Sequence, residues 1–166
     1  KLKMNPYSVP PFSLILGNKP FMKKIFQLAS MTKDKIIPIT YGDIVYRSYH
    51  KYSILSGDEL MTMISSVLRP KKVIFAINVD GIYKNIQTKD VIQTIEDRAL
   101  IKFSEVNFDI TGGMKRKVRE AFKISLAGMD VHFVNGFKPD RLLKIIENKK
   151  TEGTVIKGKR SSTGNA

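Results

Sequence analysis

Two adjacent glycines followed by a run of cations carry the clearest chemical signal in this chain. The stretch reads Asn107-Phe108-Asp109-Ile110-Thr111-Gly112-Gly113-Met114-Lys115-Arg116-Lys117. Apolar positions then recur at Val118, Ala121, Phe122 and Ser125/Leu126, the spacing of one helix face. Gly112 and Gly113 therefore stand at or just before a helix N-terminus. Free backbone N–H groups and the positive end of the macrodipole favour an anion there. Glycine lets the backbone come close to it. Lysines in a first turn oppose that dipole, so Lys115 and Lys117 need a reason, which a bound polyphosphate supplies. An ordinary turn with solvated lysines is the competing reading.

Two further loops have suitable chemistry. In Leu55-Ser56-Gly57-Asp58-Glu59-Leu60, Asp58 can cap the helix that follows. The same helix start can hold a substrate anion through its N–H groups. Asn78-Val79-Asp80-Gly81-Ile82-Tyr83 leaves the C-terminal end of an apolar strand, where open α/β sheets place their ligands. Asp80-Gly81 is equally a turn dipeptide, and Tyr83 can flank a purine or fill core.

The elements that position these loops follow from periodicity. Pro6, Pro10 and Pro11 make residues 6–13 an extended loop. Residues 14–16 form a short strand before a Gly17-Asn18 turn, and residues 20–30 repeat apolar side chains at helical spacing. Ile36–Thr40 is a short buried strand. Ile44–Tyr46 and Tyr52–Leu55 form a hairpin around residues 48–51. Asp58–Leu68 is a helix whose inner face holds Leu60, Ile64, Val67 and Leu68. Lys72–Asn78 is a continuous apolar run, the pattern of a central parallel strand. Val131–Val134 and Thr154–Ile156 are further strands, and Pro139–Asn148 is a helix with proline in its first turn. Alternating strands and helices predict an α/β fold with helices on both faces of the sheet. Residues 157–166 lack any apolar pattern and read as a disordered tail.

Bulk properties narrow the classes. The 166 residues suit one domain, and at 42% hydrophobic they can bury a core. No run approaches the roughly 18 apolar residues of a membrane span, and no secretory pattern is visible. A cytoplasmic location is the default expectation. With no cysteine, disulfides and thiolate metal sites are excluded for these residues. The net charge of +14 suits nucleic acid, an anionic surface or phosphorylated small molecules. The lysines are dispersed, however, and no basic stripe carries interleaved aromatics. The charge reads as solubility plus a field that draws in anionic metabolites, with neither nucleic acid nor membrane as partner.

Taken in order, Tyr41-Gly42-Asp43-Ile44-Val45, Ser56-Gly57-Asp58, Asn78-Val79-Asp80-Gly81-Ile82-Tyr83 and Asp109-Ile110-Thr111-Gly112-Gly113-Met114-x-x-Lys117 resemble the amino acid kinase superfamily. Asn135-Gly136 and Glu152-Gly153-Thr154 fit its C-terminal end. The Tyr-Gly-Asp and Ser-Gly-Asp forms, with Asn5-Pro6-Tyr7-Ser8-Val9-Pro10-Pro11-Phe12-Ser13, most resemble the archaeal type of isopentenyl phosphate kinase. The resemblance implies a three-layer αβα sandwich of the amino acid kinase type, with a mostly parallel central sheet, and a homodimer. It implies transfer of the ATP γ-phosphoryl group to isopentenyl phosphate, giving isopentenyl diphosphate for isoprenoid synthesis. Lys117 would hold the transferring group, and Gly112 and Gly113 would approach the nucleotide phosphates. Asp80, Gly81, Tyr83 and Lys84 would lie along the nucleotide. Ser56 and Gly57 would line the substrate phosphate, and Asp58 would orient the phosphate-binding lysines.

This chemistry is self-consistent. A phosphate monoester has a second pKa of about 6, so its acceptor oxygen is already anionic near neutrality. No general base is needed; His50 and His132 read as structural. Two anions must be brought together, which calls for lysines, backbone N–H groups and Mg²⁺ carried with the ATP. No protein metal-ligand set is expected. One departure stands out. The family begins with a Gly-Gly-Ser phosphate loop carrying a lysine, then a second Gly-rich loop ending in a substrate-binding histidine. Neither precedes Gly17, so residues 1–156 read as a partial domain, the C-terminal two-thirds of such an enzyme. The expectation is that these residues alone transfer phosphate poorly. The rival readings are a uridylate or other small-phosphate kinase of the same superfamily, and a non-catalytic basic module for nucleic acid.

Overall fold

A computed structural model describes residues 5–16, 19–48, 51–85, 87–96 and 112–159. The lead-in at 107–111, His50 and most of the expected tail lie outside them. The chain divides into two compact units, Lys1–Arg69 and Pro70–Ala166. The boundary falls where Arg69 turns left-handed (φ 44°) directly before Pro70. Among the described residues no helix is long and apolar enough to cross a membrane.

In the first unit, β1 (Asn5–Ser8) pairs in parallel with β4 (Ile36–Ile39), register Asn5 to Ile36. The proline-rich lead-in is thus extended as expected, then tightens into a 3-10 turn at Pro11–Leu14. β2 (Ile15–Leu16) and β3 (Lys19–Pro20) form a small antiparallel pair. Helix α1 (Met22–Lys33) buries Ile25 and Leu28, one turn apart. β5 (Asp43–Ser48) and β6 (Lys51–Leu55) form the expected hairpin. Val9, Leu14, Ile15, Ile25, Leu28, Val45, Leu55 and Leu60 make the core, with Met63, Ile64, Val67 and Leu68 packed against it.

Two expectations are corrected here. β4 is only half buried: its side chains alternate, leaving Ile37 and Ile39 exposed. The cap of α2 (Gly57–Leu68) is Ser56, not Asp58. Ser56 Oγ accepts the Glu59 N–H at 3.2 Å, the geometry of an N-cap three residues ahead of its donor. Asp58 lies inside the first turn, where its charge suits the macrodipole. Ser56→Ala should therefore lower stability by about 1 kcal/mol. A urea midpoint unchanged from wild type would show that the hydroxyl is idle.

The second unit is built on a four-stranded sheet in the order β10-β12-β11-β7. β7 (Val73–Ile77) runs parallel to β11 (Val131–Asn135), Val73 opposite Val131 and Ile77 opposite Asn135. β12 (Thr154–Ile156) is antiparallel to β11 and parallel to β10 (Thr94–Ile95). β7, expected to be central, is terminal in this sheet among the described residues. β8 (Tyr83–Asn85) and β9 (Asp90–Val91) form a separate short hairpin. The register places Phe75 opposite Phe133, and their rings stack at 5.1 Å. Helix α3 (Gly112–Leu126) buries Val118, Ala121, Phe122 and Ser125. Of the two residues left open in the sequence, Ser125 turns inward and Leu126 stays exposed. Helix α4 (Pro139–Ile146) starts on proline and buries Arg141 and Ile145. It stops two residues short of Asn148, which turns left-handed (φ 59°).

Candidate active site

Because β7 and β11 are parallel and in register, their C-terminal ends open at the same place. The Gly136 N–H donates to the Ile77 carbonyl at 2.8 Å and closes the floor there. Over it lies a cleft of about 480 Å³, lined by Ala76, Ile77, Asn78, Gly113, Met114, Lys117, Gly136 and Phe137. Gly112 and Gly113 are the first two residues of α3, so their N–H groups are among those a helix leaves without internal partners. A Cβ on Gly113 would meet nothing within 4 Å; the position is open to a ligand. Lys117 follows one turn later on the same face and lines the same cleft. Lys115 is exposed and is not in its wall.

The other expected nucleotide residues take different places. None of Asp80, Gly81, Tyr83 and Lys84 lines this cleft. Asp80 Oδ1 accepts three bonds: from Asn135 Nδ2 at 2.9 Å, Lys138 Nζ at 2.9 Å and Arg141 Nη1 at 2.6 Å. Arg141 also bonds Glu152. The Lys138 bond first, then Asn135 and Arg141, pull the Asp80 carboxyl from its ordinary 3.8 down to about 2. Asp80 thus ties the loop after β7 to the turn after β11. Gly81 is buried, and a Cβ there would fall 2.6 Å from Val91 Cγ1 and 2.8 Å from Thr154 Oγ1. Tyr83 is half buried, its hydroxyl accepting the Asp80 N–H at 3.4 Å, and Lys84 is exposed on β8.

A depressed carboxyl pKa sets a direction with pH. The folded value, about 2, lies below the ordinary 3.8. The stability it contributes is present above about pH 4 and is lost as the pH falls through 2. Asp80→Asn should cost about 1–2 kcal/mol at neutral pH, since Arg141 then keeps Glu152 alone as a carboxylate partner among the described residues. The gap between variant and wild-type urea midpoints should close as the pH falls from 4 toward 2. A gap that is constant over that range would sink the assignment.

Ser56, Gly57 and Asp58 belong to the first unit. Ser56 is engaged as the α2 cap, Gly57 is exposed as the first helical residue and Asp58 is buried. Sequence reasoning missed Met114, Gly136 and Phe137 as cleft residues. Phe137 is 83% exposed beside the cleft. The available signal was position: it directly follows the strand that pairs with β7. His132 is half buried within β11.

The chain was compared with known proteins. It is 31% identical over 141 residues to the isopentenyl phosphate kinase of Methanothermobacter thermautotrophicus, covering 80% of this chain and 53% of that protein. It is 32% identical over 124 residues to that of Thermoplasma acidophilum, covering 73% and 50%. The solved T. acidophilum isopentenyl phosphate kinase product complex superposes with a TM-score of 0.69 at 25% identity, over 93% of this chain and 60% of that one. The chain spans about half the length of these curated relatives. The likeness bears out the α/β class and the amino acid kinase fold. The family model of the amino acid kinase family matches residues 4–135, and it takes in all three of the loops singled out by their chemistry. This chain therefore belongs to the amino acid kinase family.

Proposed function

We propose that this chain is the nucleotide-binding part of a kinase that moves the ATP γ-phosphoryl group onto isopentenyl phosphate, giving isopentenyl diphosphate. One observation carries the reading: Gly113 at the start of α3 and Lys117 one turn on share an open cleft at the ends of two parallel strands. The relatives named above supply the substrate class.

The residues divide the work between them. The N–H groups at the start of α3 hold the β- and γ-phosphates, aided by the positive end of the helix. Lys117 stays with the transferring group as its charge spreads in the transition state. The acceptor phosphate needs no base, because its oxygen is anionic at neutral pH. Ser56 and Gly57 line the acceptor phosphate, and Asp58 orients lysines that hold it. Asp80 and Gly81 act one step back, by fixing the loop that carries Asn78. Tyr83 and Lys84 flank the nucleotide from β8. Among the described residues no three His, Cys, Asp or Glu side chains cluster. Mg²⁺ would arrive with the ATP, held by phosphate oxygens and water. A homodimer in the cytoplasm completes the proposal.

Binding of MgATP to the chain tests it directly. Saturating MgATP should raise the melting temperature, since a ligand at 100 times its Kd stabilises by about 2.7 kcal/mol. The rise should disappear in Lys117→Ala combined with Gly113→Asp, which fills the cleft with a carboxylate. No rise in wild type would remove the nucleotide from the account. Isopentenyl phosphate and uridylate in one competitive assay then separate the acceptors.

A further inference from the structure

A second cavity lies in residues 70–166, at the opposite end of the same two strands. It holds about 520 Å³, and its wall includes Lys71, Lys72, His132, Lys149, Lys150 and Lys157, with Asp130 as the one acidic group among the described residues. Lys72 and His132 stand where β7 and β11 begin; the nucleotide cleft opens where those strands end. Five strand residues separate the two places, roughly 16 Å.

The local partners leave positive charge over. Asp130 is taken by Lys157 Nζ at 2.8 Å and by the Gly158 N–H at 2.9 Å. Lys72 Nζ donates to the carbonyls of Ile145 and Ile146 at the end of α4, the latter at 2.9 Å. Lys149 pairs with Glu147 at 2.7 Å. Among the described residues Lys71 and Lys150 have no acidic partner. The imidazole inside feels the excess: burial pushes the His132 pKa down, Asp130 draws it up, and Lys157 and Lys72 push it down again.

We propose that this cavity binds a compact phosphate anion of the diphosphate class, at a site separate from the nucleotide cleft. A single carboxylate engages one lysine. A diphosphate presents charged oxygens at both ends, and so can meet Lys71 ahead of β7 together with Lys150 beyond α4. The volume is at the scale of small-ligand sites. The proposal does not depend on the kinase reading, and its test uses no nucleotide.

Inorganic pyrophosphate is titrated into the full chain in EDTA, without Mg²⁺. Binding is followed by calorimetry and by the His132 ring resonances, with His50 the only other histidine. The expected result is saturable binding that moves His132. Lys71→Glu with Lys150→Glu should weaken it by roughly tenfold or more, the scale of losing charged hydrogen bonds. Lys117→Ala should leave the His132 response intact. A still His132 would overturn the proposal. So would its loss in Lys117→Ala, which would put the anion in the nucleotide cleft. Preferential, steeply salt-dependent binding of an oligonucleotide through Lys71 and Lys150 would also overturn it, assigning the cavity to a nucleic-acid backbone.

Discussion

Lys117→Ala should lower turnover about 10²–10³-fold in a catalytically active full-length context, while ATP affinity changes far less. The reasoning is differential. On the proposed reading, the start of α3 offers N–H groups to a bound nucleotide whether or not reaction occurs. A lysine one turn later is placed for charge that develops on the moving phosphoryl group, so its loss falls on kcat. Lys117 lines the cleft rather than standing out in solvent as Lys115 does. Lys115→Ala is accordingly the control and should leave kcat within about twofold. Lys117→Arg should recover part of the loss, since it keeps the charge but not the compact ammonium. Equal effects of Lys117→Ala and Lys115→Ala on kcat would reduce Lys117 to a solvated surface cation.

Phe133→Ala should cost about 3–5 kcal/mol of stability, the range for removing a buried ring. Phe133 is fully buried and stacks on Phe75 across the β7–β11 pair. Deletion leaves a void between two strands whose ends form the floor of the cleft. Domains of this size hold only about 5–15 kcal/mol in total, so the unit should melt far earlier. Phe137→Ala is the contrast. That ring is 83% exposed, and its removal should change stability by less than about 0.5 kcal/mol. Urea unfolding of both variants decides: matching midpoints would mean that the Phe75–Phe133 stack is not the centre of this core.

The framework of the candidate site was legible because periodicity and helix termini are local properties. The start of α3 is fixed by glycine and by Val118, Ala121 and Phe122 behind it, and the structure opens the helix at Gly112. Lys117 follows from that start. What sequence could not supply is long-range pairing. The partners of Asp80 lie 55 to 61 residues away, so a turn dipeptide conceals a three-donor junction. Strands β8 to β10 hold two or three residues each, too few to show alternation. The cap of α2 was misplaced because Ser56 and Asp58 are both good capping residues. The backbone chose Ser56, whose extended conformation (φ −77°, ψ 151°) lies just outside the helix.

The junction at Asp80 bears on the thermodynamics of ligand capture. Asn78 and Phe137 both line the cleft, and the Asp80 carboxylate fastens the segments that carry them. Much of the ordering entropy that a loose loop would lose when a ligand arrives has then been given up during folding. Amide exchange in residues 78–82 and 135–138 should accordingly be slow before any ligand is added, and change little afterward.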